Sequence, residues 1–280
     1  MKAARFDYER PNALSEAVAL LQHTPGSVKP LAGGQSLVPM MNLGLVQPDM
    51  IIDLSDLRDL RRVEEERDHL FIGATVTHAE IEDGKLPDTT LGMLRHVAAC
   101  IGARAIRNRG TIGGNLAHGD PAADWSAALV ALGAVAQVVG ATGRRTLPVS
   151  DLLCSAFTTT LRPEELLEGI LVPRLSQLAR WSFYRVRRGA NASPDAIGAI
   201  VIDQERGFCR TALSGGKQIA RDLTELSGRL GGGDGAAFAA KFDPGLAREV
   251  VARSGLGNDL VEAQIYATAL SRTIKGAFVK

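Results

Sequence analysis

Two short segments, each with a pair of adjacent glycines, are the parts of this sequence best suited to binding chemistry. The first is Leu31-Ala32-Gly33-Gly34-Gln35-Ser36-Leu37, and the second is Thr111-Ile112-Gly113-Gly114-Asn115. Adjacent glycines let the backbone turn with positive φ and direct successive N–H groups at one point, an arrangement that binds a phosphate oxygen. A hydroxyl in each segment can add a donor. Taken alone, a glycine pair after a strand is more often an ordinary turn.

The spacing of the two segments indicates what they could bind together. They lie about eighty residues apart, so that each could shield part of the charge of a pyrophosphate. Neither segment has the G-x-G-x-x-G pattern of a Rossmann site, and neither is a P-loop. The segment Ser214-Gly215-Gly216-Lys217 lacks the upstream glycine of a P-loop, and we interpret it as a turn.

Two acids follow the second glycine segment. Asp120 precedes Pro121, and Asp124 lies where a helix is predicted to begin. The Asp124 carboxylate could accept a hydrogen bond from a ribose hydroxyl. Alternatively, either acid could cap the helix predicted from Ala122 to Leu132, an interpretation that suits Asp120 better than both acids together.

Residue types that bind metals or transfer protons are sparse and scattered. The cysteines are far apart, with no C-x-x-C spacing, so we interpret them as small buried residues and predict neither an iron–sulfur cluster nor a disulfide framework. They are Cys100, Cys154 and Cys209. His78, His96 and His118 are candidate acids or bases, each equally compatible with a structural role. His118 lies just beyond the second glycine segment.

The composition is that of an ordinary globular chain. With 280 residues, 45% of them apolar, it can form one large domain or two to three small ones. A net charge of +1 gives no indication of a nucleic-acid partner. The most apolar segment, 125–139, is too short and interrupted to span a membrane, and no apolar stretch follows Lys2 and Arg5 as in a secretory signal. We expect a cytoplasmic protein.

The elements that must position the glycine segments form three predicted units, at 1–56, 57–175 and 176–280. The first has a helix with Leu14, Val18 and Leu21 on one face, and strands at 28–32 and 50–53. The second has helices near 77–82, 91–101 and 124–132, a basic loop at 104–109, and strands at 70–72, 135–139, 145–149 and 166–172. The third has strands at 183–186, 197–202 and 209–212, and helices at 222–230 and from 260 onward. This irregular mixture predicts an α+β fold.

Several of these motifs together resemble one family. LAGGQSL at 31–37 and TIGGN at 111–115, followed by DPAAD at 120–124, resemble the paired FAD segments of the flavoprotein subunit of molybdenum hydroxylases. That group includes the medium subunit of carbon monoxide dehydrogenase and the FAD domain of xanthine dehydrogenase. The resemblance extends to FDYERP at 6–11, DMIIDLSDL at 49–57, IGATVTHAEI at 72–81, RNRGTIGGN at 107–115 and FTTTLRPEELL at 157–167.

The resemblance implies a fold, a cofactor and a set of contacts. The fold would be the vanillyl-alcohol-oxidase (PCMH) type, with a C-terminal α/β subdomain like that of the carbon monoxide dehydrogenase flavoprotein. FAD would bind non-covalently, with its pyrophosphate on the two glycine segments and a ribose or ribityl hydroxyl on Asp124. Ile101 and Leu167 would pack near the adenine or the ring. The residues implied as FAD contacts are Leu31, Ala32, Gly33, Gly34, Gln35, Ser36, Leu37, Val38, Ile101, Thr111, Ile112, Gly113, Gly114, Asn115, Asp124, Leu167 and Arg185.

The sequence departs from the family pattern at two places. Arg185 stands where the family often has a lysine that reaches toward the flavin, which keeps the charge but changes its geometry. Asn191-Ala192-Ser193 replaces an acid–aromatic pair whose aromatic ring covers the flavin in many relatives. Either the ring is more exposed to solvent here, or another residue such as Tyr184 covers it.

The resemblance also implies partners. The chain would pass electrons from the [2Fe–2S] clusters of a small subunit, through FAD, to an external acceptor, while a large subunit with a molybdenum cofactor transforms the substrate. A dimer of heterotrimers is the expected assembly. The alternatives are a stand-alone FAD-dependent oxidoreductase of the same fold, and a flavin-free scaffold subunit. The substrate and the acceptor (NAD, quinone, cytochrome or oxygen) stay open.

Overall fold

A computed structural model describes residues 2–189, 192–232, 235–257 and 259–278. The first elements are β1 (Asp7–Glu9), α1 (Leu14–His23), β2 (Val28–Leu31), α2 (Leu37–Asn42) and β3 (Met50–Asp53). Within the described residues these strands form a three-stranded parallel sheet with β3 in the centre. Helix α1 buries Leu14, Val18 and Leu21, as their spacing predicts, in a cluster with Ile52 of β3. Strand β2 ends at Leu31, where the first glycine segment begins.

A larger mixed unit follows and carries the second glycine segment. Its elements are a 3-10 helix (Arg58–Leu60), β4 (Val63–Glu65), β5 (His69–Gly73), α3 (His78–Glu82), α4 (Met93–Cys100), α5 (Arg104–Arg107), α6 (Ile112–His118), α7 (Asp124–Leu132), β6 (Val135–Gly140), β7 (Gly143–Pro148), α8 (Val149–Leu152), β8 (Leu153–Ser155), β9 (Thr158–Thr159) and β10 (Leu166–Pro173). In this part of the described chain, five strands form an antiparallel sheet in the order β4-β5-β10-β6-β7.

The last elements form an antiparallel sheet covered by helices. They are β11 (Arg180–Val186), β12 (Ala196–Asp203), β13 (Phe208–Gly215), β14 (Gln218–Asp222), α9 (Thr224–Gly231), α10 (Gly235–Ala240), α11 (Pro244–Ser254) and α12 (Leu260–Phe278). Consecutive strands pair in the order β11-β12-β13-β14. Helix α12 lies across β11 and β12, so one face of this sheet is closed by the end of the chain.

Helix α7 joins the second unit to the third. Every residue of α7 is buried, because it contacts β12, β13 and β14 as well as α4 and α6. Side chains alternate along β12: Ile197, Ala199 and Val201 share a core with α7, whereas Ala196 and Ile200 face the core that α12 closes. Burial of each large aliphatic side chain here contributes about 1.5–3 kcal/mol to stability. The core thus continues across residue 176, where the sequence predicts that the third unit begins. The unit limits at 1–56, 57–175 and 176–280 stay a prediction.

Three local predictions are wrong. Residues 104–107 form helix α5 rather than a loop, and their two arginines are fixed by acids of α3 and the residue after it. Residues 112–118 form helix α6, so the second glycine segment is the first turn of a helix. Asp222 ends strand β14 instead of opening a helix, because β14 pairs with β13. The mixture of helices and strands is nevertheless the α+β fold that the sequence predicts. Among the described residues, no helix combines the length and the apolar character needed to cross a membrane.

Candidate functional site

The two glycine segments lie against each other. A Cβ atom on Gly33 would stand 2.0 Å from the carbonyl oxygen of Arg109 and 2.9 Å from the Cα of Gly110. A Cβ atom on Gly114 would lie 3.5 Å from the Cβ of Ala32. The first segment follows a strand of the parallel sheet, and the second belongs to the helices of the second unit. The structure therefore brings together residues that the sequence separates by about eighty positions.

The first segment presents a row of free backbone donors. Gly34 has a φ of +74°, which turns the chain between β2 and α2. Within the described residues, the N–H groups from Gly33 to Leu37 have no protein acceptor. The Ser36 side chain begins α2 without making a capping hydrogen bond. Successive free N–H groups beside a hydroxyl are suited to an anion such as a phosphate.

The N–H groups at the second glycine pair are not free, contrary to what the sequence predicts. Thr111 caps helix α6, and its Oγ1 accepts a hydrogen bond from the Gly114 N–H at 3.1 Å. The N–H groups of Ile112 and Gly113 donate to the carbonyls of Val76 and Ala74, at 3.0 Å each. The backbone donors of this turn are thus already satisfied. The prediction that both segments offer free N–H groups is therefore wrong for the second segment.

Close packing explains the glycine at position 113. A Cβ atom there would lie 2.4 Å from the Cβ of Ala74 and 2.7 Å from its carbonyl oxygen. Neither Gly113 nor Gly114 has a positive φ. The free group in this segment is the Asn115 side chain, whose Oδ1 is buried with no hydrogen-bond partner. Because a buried polar atom without a partner costs roughly 1–3 kcal/mol, this amide is a candidate for contact with a ligand.

Asp124 and Arg185 form a buried ion pair. One guanidinium nitrogen, Nη1 of Arg185, lies 3.3 Å and 3.5 Å from the two carboxylate oxygens of Asp124, and it donates to the Cys100 carbonyl at 2.6 Å. Burial raises the pKa of Asp124 to about 6, although the charges of Arg185 and Arg187 oppose that rise. Asp124 caps no helix, whereas Asp120 accepts a hydrogen bond from the Ala122 N–H in the preceding turn.

The aliphatic residues implied by the resemblance lie in the largest core. Ile101 follows the last residue of α4, and Leu167 of β10 stands opposite Val138 of β6. Both are buried in the same cluster. Leu31 and Leu37 flank the first segment and are half-buried, and Val38 is exposed.

Tyr184 and Arg185 project from opposite faces of β11. Tyr184 lines a cavity of about 570 Å³ together with Lys275 and Gly276 of α12, while Arg185 reaches Asp124 on the other side of the sheet. Neighbouring residues of a strand point to opposite faces. The interpretation that Tyr184 covers a ring held near Arg185 is therefore not supported. Asn191 lies outside the described residues, and Ala192 and Ser193 are exposed.

The three candidate histidines each lie beside an aromatic side chain. His78 is buried, and its Nδ1 accepts a hydrogen bond from the Trp125 indole N–H at 3.1 Å. Burial, aided by the charge of Arg107, lowers the pKa of His78 to about 4. The His96 ring packs near Trp181, and the His118 ring near Phe157.

A charged layer lies beside the glycine segments, and the sequence shows only its basic cluster at 104–109. A cavity of about 380 Å³ is bordered by Ala32, Gly33 and Thr111. Arg61, Lys85, Arg104 and Arg109 also line it, and Glu80 and Asp83 supply the opposite charge. The sequence shows Arg104, Arg107 and Arg109 as a basic cluster, compatible with a solvated loop next to the flavin site or with a group that faces the acceptor or neutralises the pyrophosphate. Arg109 is exposed, but Arg104 is held by Asp83 through two hydrogen bonds of 2.7 Å.

Comparison with known proteins gives a consistent set of similarities. The sequence model for the family described as "FAD binding domain in molybdopterin dehydrogenase" matches residues 4–175, more than half of the chain. The chain is 34% identical over 215 residues to the carbon monoxide dehydrogenase medium chain of Afipia carboxidovorans, covering 77% of this chain and 75% of the relative. It is 38% identical over 218 residues to the nicotine 6-hydroxylase medium subunit of Paenarthrobacter nicotinovorans, covering 77% and 76%.

Solved structures show the same similarity over the whole chain. A chain of carbon monoxide dehydrogenase from Hydrogenophaga pseudoflava, in a form that lacks the Mo-pyranopterin moiety of its cofactor, superposes with a TM-score of 0.89. The identity is 29%, and 99% of each chain is covered. A chain of quinoline 2-oxidoreductase from Pseudomonas putida 86 gives a TM-score of 0.83 at 26% identity, covering 99% of this chain and 98% of that one. These matches extend beyond residue 175 and confirm the PCMH-type fold with its C-terminal subdomain.

Proposed function

Because the chain belongs to the family of FAD-binding domains of molybdopterin dehydrogenases, we propose that it carries electrons from the [2Fe–2S] clusters of a partner subunit, through FAD, to an external acceptor. The chain is an FAD-binding medium subunit of the carbon monoxide dehydrogenase-like molybdenum hydroxylases, which confirms the resemblance found in its sequence. FAD supplies the redox chemistry, since it can accept electrons singly and release them singly or in pairs. The protein's own residues bind and orient it.

The observation that carries the proposal is the set of unsatisfied polar groups at the junction of the glycine segments. The free N–H groups of Gly33 to Leu37 are suited to hold the pyrophosphate, and the unpaired Oδ1 of Asn115, an acceptor, is suited to a hydroxyl or N–H donor of the cofactor. Asp124 would accept a hydrogen bond from a ribose or ribityl hydroxyl, and Arg185 would place a positive charge beside the cofactor. The remaining members of the proposed contact set are Leu31, Ala32, Val38, Ile101, Thr111, Ile112, Gly113, Gly114 and Leu167.

The partners in this proposal are a small subunit with [2Fe–2S] clusters and a large subunit with the molybdenum cofactor. The word "medium" in the names of several relatives supports one larger and one smaller partner subunit. We extend the proposal to a dimer of heterotrimers that works in the cytoplasm. The described cysteines are unpaired, which agrees with a reducing compartment. The complex would transform its substrate on the large subunit.

A stand-alone oxidoreductase is less well supported. Such an enzyme needs its own acid or base beside the flavin. His78, one of the candidates, is buried and already accepts the Trp125 N–H, and its pKa of about 4 keeps it neutral at ordinary pH. A flavin-free scaffold is also less well supported, because it has no use for a row of free N–H groups.

Flavin analysis tests the cofactor part of the proposal. The purified chain should show a flavin absorption spectrum, and heat should release FAD in a 1:1 ratio. If neither the chain nor the complex co-expressed with its neighbouring subunits retains FAD, the proposed site is wrong. In that complex, substrate should bleach the flavin absorbance at the rate of turnover. A flavin that stays oxidised while the clusters turn over would contradict the electron route.

A further inference from the structure

The C-terminal end of helix α4 is held by two arginines from different parts of the chain. The last carbonyls of a helix have no partner within it and carry partial negative charge. Here the Cys100 carbonyl accepts from Arg185 at 2.6 Å. The next two carbonyls, of Ile101 and Gly102, accept from Nη1 of Arg107 at 3.0 Å and 2.7 Å.

Arg107 is itself oriented by an acid. Its Nε and Nη2 donate to the two carboxylate oxygens of Glu82, at 2.7 Å and 2.9 Å. This two-point contact fixes the plane of the guanidinium group, which leaves Nη1 directed at the helix end. The Arg107 side chain is 12% exposed, so these contacts are shielded from solvent. Arg104 on the same helix also reaches Glu82, but it contacts neither carbonyl.

The two arginines fix adjacent points of one backbone segment. Arg185 uses the same nitrogen for the Cys100 carbonyl and for Asp124, so the position of that carbonyl helps to place the ion pair. The next residue, Ile101, is the proposed aliphatic contact and is only 8% exposed. Gly102, the last of the three residues whose carbonyls are held, has a φ of +44°, so the chain turns sharply within the segment that the arginines fix.

From these contacts we infer that Arg107 is a positioning residue for FAD, because it holds the α4 end so that Ile101 and Arg185 are aligned for the cofactor. This inference rests on the proposed function. Arg107 contacts neither Asp124 nor the glycine segments, and its effect passes through the backbone of residues 100–102. Lysine keeps the charge, but its single nitrogen has three N–H donors and cannot make the two-point contact to Glu82 while it also donates to both carbonyls.

The test compares Arg107→Lys with a matched control, Arg145→Lys. Arg145 makes the same kind of contacts elsewhere: it donates to both carboxylate oxygens of Glu165, at 2.8 Å and 2.7 Å, and to the Thr160 carbonyl at 3.1 Å. The affinity of the deflavinated chain for FAD is measured by calorimetry, and stability by denaturant unfolding. Arg107→Lys should weaken FAD binding about tenfold, and Arg145→Lys should leave it unchanged at a similar loss of stability. Equal effects of the two variants would overturn the inference.

A double-variant cycle separates positioning from a general loss of stability. Arg107→Lys and Arg185→Lys should have non-additive effects on FAD affinity, since both side chains fix one segment. Additive effects would contradict the coupling. If Arg107→Lys folds poorly, Glu82→Gln replaces it in the test, because it removes the acid that orients Arg107. Glu82→Gln should also weaken FAD binding, and unchanged FAD affinity in Glu82→Gln would overturn the inference. A wild-type protein that binds no FAD, either alone or in the co-expressed complex, would instead overturn the proposed function, so the two failures are distinguishable.

Discussion

Gly33 lies so close to Arg109 that a single added carbon on Gly33 would stand 2.0 Å from the Arg109 carbonyl oxygen. This contact joins the parallel sheet of the first unit to the helices of the second. The backbone therefore needs glycine at position 33 for close approach, whereas the neighbouring Gly34 is needed for its φ of +74°. The two positions of this pair therefore require glycine for different physical reasons.

Gly33→Ala should reduce FAD affinity at least about tenfold, because the new methyl group must push the two glycine segments apart. The measurement is calorimetric titration of the deflavinated variant with FAD. Gly228→Ala is the matched control, since a Cβ atom on that helical glycine meets no atom within 4 Å. The control should bind FAD normally and be slightly more stable, because alanine favours a helix. Normal FAD affinity in Gly33→Ala would contradict the proposed junction.

Asp124 should make FAD binding depend on pH. Its pKa is raised to about 6 by burial, so the carboxyl group is protonated in the folded chain below that pH. A carboxylate accepts a hydroxyl hydrogen bond more strongly than a carboxylic acid. FAD affinity should therefore rise as the pH increases through about 6, and Asp124→Asn should remove that rise. Titrations between about pH 5 and 7.5 check it, and a rise of equal size in both proteins would assign it to another group.

His78 should make the folded chain less stable in mild acid. Its pKa is about 4 in the folded state and 6.5 as a free side chain. As the pH falls from 6.5 to 4, the unfolded chain binds the proton first, so the free energy of unfolding decreases by up to about 3 kcal/mol. Asp124, whose folded pKa is raised, has the opposite effect in this range: its contribution to stability decreases as the pH rises.

His78→Gln isolates the histidine contribution. Glutamine keeps an acceptor for the Trp125 N–H but does not titrate, and the Asp124 effect cancels in the difference between variant and wild type. Urea unfolding at several pH values should show that the variant loses stability less steeply than the wild type below pH 6.5. Parallel curves would show that His78 is protonated in the folded state as readily as in the unfolded chain.

Local patterns in the sequence predicted most of the elements but not all of their roles. Helix α1 was predictable because the spacing of its apolar residues is set by a single buried face. Strand β12 was predictable because its residues are buried on both faces of the sheet. The second glycine segment was misjudged because its N–H groups are satisfied by Ala74 and Val76, more than thirty residues earlier. No local pattern shows a hydrogen bond of that range.

The charged contacts were the least predictable part of the site. Asp124 and Arg185 meet because the third sheet packs on helix α7, and that packing depends on the whole core. Arg107 was visible in the sequence only as one member of a basic cluster. Its partner Glu82 is twenty-five positions earlier, so nothing local distinguishes a cap of helix α4 from a solvated charge.

Asn115 offers a direct test of whether a group is reserved for the cofactor. Its Oδ1 is buried without a partner, and so is the Oγ of Ser214 in strand β13, which lies outside the proposed contact set. Asn115→Leu keeps the side-chain shape and removes the unpaired polar group. It should leave the unfolding free energy of the FAD-free chain unchanged or raised, by up to about 1–3 kcal/mol, while FAD affinity falls about tenfold. Ser214→Ala should give a similar stability change with normal FAD affinity, and equal affinities in the two variants would show that Asn115 does not contact FAD.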